Sequence, residues 1–188
     1  MNNPIRILGI AGSLRRDSYN RSASRAATQL APEGATVEVF ELDGIPGFNQ
    51  DEEQSPPAKV VELKRRIREA DAILFVTPEY NYSVPGVLKN AIDWASRPYG
   101  ESAWNGKPAA IMGASIGGIG TARAQYHLRQ SMVFLNMFPI NQPEVMIGNA
   151  GDRFDEQGNL TDDTTKGYIR QLLQNLVDWT QRLEQARV

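Results

Sequence analysis

Cysteine is absent from this sequence of 188 residues, and histidine occurs once, as His127. The lack of cysteine excludes disulfides, thiolate-bound metals, iron–sulfur clusters and cysteine nucleophiles. The 20 Lys and Arg against 22 Asp and Glu leave a net charge of −2, which gives no general attraction to nucleic acid or an anionic membrane. No apolar run approaches the ~20 residues of a membrane helix, and the beginning of the sequence lacks the apolar core of a signal peptide. We therefore expect a cytoplasmic protein that binds neither nucleic acid nor membrane.

Short apolar runs alternate with stretches of helical periodicity along the chain. The apolar runs predict strands at 5–10, 36–42, 72–77, 109–114 and 143–147. The helical spacing predicts helices at 20–30, 60–70, 84–95, 121–135 and 169–183. No linker or repeat interrupts this pattern, so we expect one α/β domain over residues 1–188, with a doubly wound parallel sheet and helices on both faces. The polar stretch 148–161 is expected to be a mobile excursion.

The segments after strands 1, 3 and 4 are expected to carry the chemistry, because ligands of such sheets bind at the carboxyl ends of the strands. The segment after the first strand contains two hydroxyls, two guanidinium groups and an amide, on Ser13, Ser18, Arg15, Arg16 and Asn20. Hydroxyl and guanidinium groups beside a helix N-terminus bind phosphate well. A helix cap with solvated arginines explains the same residues equally simply.

The other two segments have features that suit a planar ligand. After the third strand, Tyr80 and Tyr82 lie between two prolines, so they either offer aromatic surface on a stiff loop or cover the core at a rigid turn. After the fourth strand, Gly117, Gly118 and Gly120 either bring backbone N–H groups close to a ligand or form a loose turn. Each signal is weak alone, but all three fall on one edge of the predicted sheet.

Several better-known motifs fail on this sequence. No Gly-x-Gly-x-x-Gly dinucleotide fingerprint follows the first strand, and no P-loop is present. The run Gly113-Ala-Ser-Ile-Gly117 does match the nucleophile elbow of α/β-hydrolases. That mechanism also needs an acid between the serine and the histidine, and none occurs between Ser115 and His127. A serine hydrolase is therefore not expected.

Three motifs together resemble one known family. They are Gly12-Ser-Leu-Arg-x-x-Ser-x-Asn20, then Pro78-Glu-Tyr-Asn-Tyr-Ser-x-Pro-Gly-x-Leu-Lys-Asn-Ala-Ile-Asp-Trp94, then Ser115-x-Gly-Gly. They resemble the NAD(P)H-dependent FMN reductases, and within that family the chromate and quinone reductase branch. The resemblance implies a flavodoxin-like five-stranded sheet of order 2-1-3-4-5, FMN as cofactor and NADPH or NADH as hydride donor. It also implies two-electron reduction of quinones, flavins, nitro or azo compounds, or metal oxyanions such as chromate.

The resemblance further implies a role for three groups of positions. The FMN phosphate is expected to be bound by Ser13, Arg15, Ser18 and Asn20. The isoalloxazine ring is expected to be held, largely through backbone groups, by Pro78, Glu79, Tyr80 and Asn81. Its other side is expected to be closed by Ser115, Gly117 and Gly118. No catalytic acid or base and no metal ligand is assigned, since the flavin carries the chemistry.

Members of this family are commonly homodimers or homotetramers with the FMN pockets at the subunit interface. The interface candidates here, for which solvated side chains are an equally ordinary explanation, are Tyr82, Arg123, Tyr126 and Glu144. With one flavin face open, the hydride donor and a small-molecule electron acceptor are expected to use it in turn, in ping-pong order. The alternative function is a non-catalytic flavodoxin-like electron carrier, although such carriers are usually far more acidic than this sequence.

Overall fold

The computed structural model describes residues 4–186, so the two ends of the expected 1–188 domain lie outside the described residues. The strands are β1 (Ile5–Ala11), β2 (Ala35–Glu41), β3 (Ala72–Val76), β4 (Pro108–Ala114), β5 (Phe138–Pro139) and β6 (Val145–Ile147). The helices are α1 (Tyr19–Gln29), α2 (Ala58–Glu69), α3 (Gly86–Ala95), α4 (Ala122–Phe134) and α5 (Asp163–Gln185). No helix in the described part of the chain is long and apolar enough to cross a membrane.

The strands form one parallel sheet in the order β2-β1-β3-β4-β5, which confirms the predicted flavodoxin-like topology. The fifth strand position in the sheet differs from the single strand expected at 143–147. It consists of two short segments, since β5 pairs with the beginning of β4 and β6 pairs with its end. Pro143 lies between the two segments and has no backbone N–H to contribute to a ladder, which is consistent with the interruption of pairing there.

Helices cover both faces of the sheet because successive side chains of each central strand point to opposite sides. Leu74 and Val76 of β3 join a core with α1 and α5, whereas Ile73 and Phe75 of the same strand join a second core with α2, α3 and α4. All four side chains are fully buried. A strand buried on both faces is apolar at every position, and this is the pattern from which the sheet was predicted.

The segment 148–161 is packed against the protein, which corrects the expectation of a mobile excursion. Ala150, Phe154 and Leu160 are buried in the core that contains α1 and α5. The ring of Phe154 lies 5.5 Å from that of Tyr19, and Phe154 also pairs with Leu160 through a β-bridge. The polar composition of the segment concealed these apolar anchors, because they are too few and too irregularly spaced to give a helical or strand pattern.

Candidate functional site

The three predicted loops lie side by side at one edge of the sheet, because β1, β3 and β4 are neighbours. The first two loops approach closely at Gly12, where an added Cβ would lie 3.2 Å from Pro78 and 3.3 Å from Pro85. The end of β3 and the end of β4 approach still more closely at Gly113, where a Cβ would lie 2.1 Å from the carbonyl oxygen of Thr77. Glycine at these two positions therefore sets the spacing between the loops.

The loop between β1 and α1 presents hydrogen-bond donors that have no acceptor within residues 4–186. Ser13 is only 3% exposed, yet its hydroxyl bonds to no protein group in that range, and the backbone N–H groups of Leu14 and Arg16 are likewise unused. Arg15 and Arg16 are exposed and form no ion pair among the described residues. Unpaired donors and free guanidinium groups at the start of a helix suit a phosphate, so the residues present fit the expected anion.

Ser18 begins α1 as its N-cap and accepts a hydrogen bond from the backbone N–H of Asn20, with an N···O distance of 3.2 Å. Its hydroxyl hydrogen remains available to donate to a ligand. No acidic residue occupies the first turn of this 11-residue helix, so the positive end of the helix dipole is not offset from within the helix.

Asn20, which the phosphate motif assigns to the phosphate, has both polar atoms of its side chain hydrogen-bonded within the protein. Its side-chain Nδ2 donates to the carbonyl oxygen of Ala114 at 2.9 Å, and the N–H of Ala114 donates to its Oδ1 at 2.8 Å. The residue is 3% exposed. Because the amide is bonded to the backbone on both sides, Asn20 fastens the first turn of α1 to the end of β4 and positions two of the loops relative to each other.

Residues 80–83 form a tight hairpin at the tip of the second loop. Tyr80 and Ser83 exchange two backbone hydrogen bonds of 3.0 Å, and the intervening Asn81 and Tyr82 have φ angles of 49° and 67°. Two successive positive φ angles define a type I′ turn, in which tyrosine is unusual. Both tyrosine side chains are exposed, as expected of aromatic surface at this edge.

Glu79 connects the hairpin to α4. Its Oε2 accepts hydrogen bonds from the backbone N–H groups of Arg123 and Ala124 at 2.9 and 3.1 Å, and its Oε1 accepts one from the Arg123 guanidinium at 2.9 Å. Burial alone would raise the pKa of this carboxyl, but the hydrogen bonds from Arg123 and Ala124 outweigh burial and hold the pKa below its ordinary value. The carboxylate therefore caps α4 and anchors the second loop.

The Glu79→Gln variant is expected to lose about 1–3 kcal/mol of unfolding free energy near neutral pH, because a charged acceptor becomes neutral. Since the folded-state pKa lies below the unfolded value of ~4.3, the carboxylate's contribution is present above the unfolded pKa and is lost as pH falls through the folded pKa. Urea unfolding of both proteins, near neutrality and in steps into the acid range, measures this difference.

The matched control for this prediction is Glu69→Gln, which removes one partner of an exposed pair with Arg65 on α2. We expect that change to cost no more than ~0.5 kcal/mol. A stability difference between Glu79→Gln and the parent protein that stayed constant from neutral to acid pH would contradict the capping role.

Two further contacts between the hairpin and α4 were not foreseen from the sequence. The Arg123 guanidinium lies 3.8 Å from the centre of the Tyr82 ring, and Ser83 Oγ lies 3.0 Å from Nδ1 of His127. The sequence suggested Arg123 only as an interface residue, and no local sequence pattern indicates a contact between residues about forty positions apart.

The structure also excludes the serine hydrolase arrangement within residues 4–186. The single histidine, His127, bonds to Ser83 and not to Ser115. The Oγ of Ser115 instead accepts a hydrogen bond from the N–H of Gly117 at 3.2 Å.

The third loop exposes its backbone at the same edge. Gly117 and Gly118 are exposed, and an added Cβ would come no closer than 3.7 Å to any protein atom at Gly117 and 3.9 Å at Gly118. The N–H groups of Gly118 and Ile119 have no acceptor in the part of the chain that the structure describes. The loop therefore leaves room and free donors for the edge of a ligand.

The fold and this edge define a class of protein. A sheet of order 2-1-3-4-5 with phosphate-type donors at its first loop, beside two loops that suit a planar ring, is that of flavodoxin-like flavoproteins. The described residues contain no cluster of His, Cys, Asp and Glu that would hold a metal ion.

Comparison with known proteins narrows this class to a family. The model of the NADPH-dependent FMN reductases matches residues 5–152. The chain is 55% identical over 185 residues to an NAD(P)H-dependent FMN reductase of Pseudomonas aeruginosa, covering 97% of this chain and 99% of that protein. It is 41% identical over 190 residues to a quinone reductase of Escherichia coli, covering 98% and 100% of the two chains. The solved structure of FerB, a flavoenzyme NAD(P)H:(acceptor) oxidoreductase from Paracoccus denitrificans, matches with a TM-score of 0.87 at 36% identity, covering 95% and 98%.

The chain therefore belongs to the NADPH-dependent FMN reductase family. It is an NAD(P)H-dependent oxidoreductase with FMN as its cofactor, as the three motifs predicted. The relatives named above are reductases, so the alternative of a non-catalytic electron carrier is not supported.

Proposed function

We propose that this enzyme uses NAD(P)H to reduce quinones and free flavins, with FMN held at the edge formed by the three loops. The observation that carries the proposal is the set of unpaired donors around Ser13 and Arg15, next to the open backbone of Gly117 and Gly118. A phosphate and a planar ring at these two places would accept from donors that have no partner within residues 4–186.

Each loop has a distinct part in this proposal. Ser13, Arg15 and Ser18, with the free N–H groups between them, bind the phosphate, while Asn20 holds their helix in place. In the second loop, the backbone from Pro78 to Asn81 faces one edge of the ring, with the Glu79 side chain as its anchor to α4. The third loop, with Ser115, Gly117 and Gly118, closes the other edge.

The reaction needs no acid or base from the protein in this proposal. When bound, FMN supplies the two-electron chemistry between the nicotinamide and the acceptor. The chain's own residues orient the ring and leave one of its faces open. We also propose that the enzyme acts in the cytoplasm as one domain, since NAD(P)H is its electron source.

Steady turnover tests the function directly. The FMN-loaded protein, given NADPH or NADH and a benzoquinone, is expected to oxidise the nicotinamide continuously without any protein partner. A single stoichiometric oxidation that then stops would contradict the proposal and favour an electron carrier.

Ping-pong kinetics are expected, because the three loops leave one ring face for both substrates. The oxidised nicotinamide must then leave before the acceptor enters. Initial rates at several fixed acceptor concentrations should give parallel double-reciprocal lines, and oxidised nicotinamide should compete with the acceptor. Intersecting lines would show that both substrates bind at once, which one shared face does not allow.

We extend the proposed acceptors to nitro and azo compounds and to metal oxyanions such as chromate. Exposed apolar side chains surround the site edge, which favours planar organic acceptors; they are Leu14, Tyr80, Tyr82, Ile116 and Ile119. The exposed guanidinium of Arg16, which the proposed phosphate contacts leave free, offers an attraction for an oxyanion. Rates with a quinone, a nitroaromatic, an azo dye and chromate, measured at equal concentration, test this range.

We propose that the working enzyme is a homodimer or homotetramer. Tyr126, Val133 and Phe134 expose apolar surface on α4, the helix to which the second loop is anchored. The Tyr126 hydroxyl donates to Glu144 at 3.3 Å within one chain, while Arg123 is already engaged by Glu79 and Tyr82. Light scattering of the FMN-bound protein measures the assembly, and a monomer at catalytic concentration would contradict it.

A further inference from the structure

The third loop is supported from behind by residues 147–150, which we call the backing segment. Ser115 N–H donates to the carbonyl of Ile147 at 2.9 Å, and Ala150 N–H donates to the carbonyl of Ser115 at 3.0 Å. Asn149 N–H donates to the carbonyl of Gly117 at 3.3 Å. Backbone hydrogen bonds therefore fix two carbonyls of the loop, while its N–H groups at Gly118 and Ile119 stay unused within residues 4–186.

The approach of the two backbones is closest at Gly148. An added Cβ there would lie 2.3 Å from the carbonyl oxygen of Gly118 and 3.2 Å from that of Gly117. No real Cβ contact is this short, so any larger residue would displace the third loop or the backing segment. The φ angle of Gly148 is not in the left-handed region, so the contact alone accounts for the glycine.

The chain that follows the backing segment is fastened to α1, the helix of the proposed phosphate site. Ala150 is fully buried, the Phe154 ring packs on Tyr19, and the Arg25 guanidinium donates to the carbonyl of Gly158 at 3.5 Å. The chain that continues from the backing segment is thus held against α1, which limits the movement of the backing segment. It offers the glycine-rich loop a fixed surface.

We propose that Gly148 is a positioning residue for the cofactor, through its contact with Gly117 and Gly118; this rests on the FMN site proposed above. A loop with three glycines has many conformations, and ordering it on binding costs affinity. The hydrogen bonds from Asn149 and Ala150 hold its carbonyls in advance, so its free N–H groups already face the ligand. Residues 148–150 in this way support the cofactor site through their backbone.

The test compares Gly148→Ala with Gly151→Ala in the same segment. A Cβ at Gly151 has its nearest neighbour at 3.7 Å, an ordinary contact. We expect Gly148→Ala to raise the FMN dissociation constant by about tenfold or more and Gly151→Ala to change it less than about twofold. We also expect Gly148→Ala, saturated with FMN, to show an altered visible circular dichroism of the bound flavin, which a loss of stability alone would not produce. Equal affinity and equal spectra for the two variants would overturn the proposal.

The Gly118→Ala variant tests the proposed FMN site separately from the positioning role of Gly148. A methyl group at Gly118 meets only Asn149 Oδ1 at 3.9 Å, so the protein has room for it and only a bound ligand would be obstructed. Unchanged FMN binding by Gly118→Ala would overturn the site. Weakened FMN binding by Gly118→Ala together with normal FMN binding by Gly148→Ala would support the proposed site and overturn the positioning role.

If Gly148→Ala does not fold, amide hydrogen exchange of the unaltered protein tests whether the backing segment positions the third loop for FMN. FMN should slow exchange at the Asn149 and Ala150 amides, because it binds the state in which these amides are bonded to the loop carbonyls and so makes their transient opening rarer. The Thr161 amide, which donates to Arg153 farther along the segment, serves as the control and should not change. Equal exchange at Asn149 and Ala150 with and without FMN would overturn the positioning role.

Discussion

Replacement of Arg15 with alanine is expected to raise the FMN dissociation constant about ten- to hundredfold, the effect of losing one charge-assisted contact of ~1.5–3 kcal/mol. Arg15 is exposed and forms no ion pair among the residues that the structure describes, so its removal should leave the stability of the apo-protein unchanged. Its charge at the start of α1 is then available only to a ligand. Titration calorimetry of FMN into the apo-protein measures the effect.

Riboflavin provides the matched ligand for this experiment, because it has the same ring system without the phosphate. The parent protein should bind riboflavin at least about a hundredfold more weakly than FMN, and Arg15→Ala should not weaken riboflavin binding further. The control variant is Arg65→Ala, which removes an exposed arginine on α2. A loss of affinity that is equal for FMN and riboflavin would contradict the assignment of Arg15 to the phosphate.

The Asn20→Ala variant is expected to lose about 2–5 kcal/mol of unfolding free energy, even without FMN. The substitution leaves both the N–H and the carbonyl of Ala114 without their partner in a buried position, and each unsatisfied group costs ~1–3 kcal/mol. Loss of this connection should also weaken FMN binding, because α1 and the third loop are no longer held together. Denaturant unfolding of the apo-protein, followed by FMN titration of the folded variant, measures both effects.

Thr28→Ala is the control for this prediction, because it removes a hydroxyl that bonds within α1 to the carbonyl of Ser24 and should cost less than ~1 kcal/mol. A direct contact between Asn20 and the phosphate, as the family motif suggests, makes a different prediction. In that case Asn20→Ala would weaken FMN binding and leave the apo-protein as stable as its parent. That outcome would contradict the positioning role.

The fold could be predicted because the central strands are buried on both faces. Every residue from Ala72 to Val76 is apolar, and such a run between amphipathic helices leaves few alternatives to a parallel sheet. The fifth strand was less predictable, because Val145–Ile147 offers only three residues and the pairing of Phe138–Pro139 has no sequence signature.

The positions of the site loops could also be predicted, since ligand-binding segments of such sheets follow the strands. Their internal contacts could not, because they join residues far apart in sequence. Asn20 and Ala114 are 94 positions apart, and Glu79 and Arg123 are 44 apart. The identity of Asn20 did not indicate that it bonds to Ala114, since asparagine at the start of a helix is ordinarily a cap or a ligand contact. The same limit explains why the packing of segment 148–161 was missed.

The contacts of Asn20, Glu79 and Gly148 share one consequence for function. Asn20 joins two of the site loops to each other, and Glu79 and Gly148 each join a loop to a neighbouring element, so the loops are held before a ligand arrives. A cofactor that binds loops already in position does not have to order them, which favours tight binding of FMN through many small contacts.

A crystal structure of the protein with FMN would decide whether the three loops form the cofactor site, because it locates the phosphate and the ring independently of any variant. We expect the phosphate to contact the hydroxyl of Ser13 and the guanidinium of Arg15, and the ring edge to lie against the backbone of Gly118. Electron density for FMN at any other place, with the donors between Ser13 and Ser18 facing only water, would contradict it.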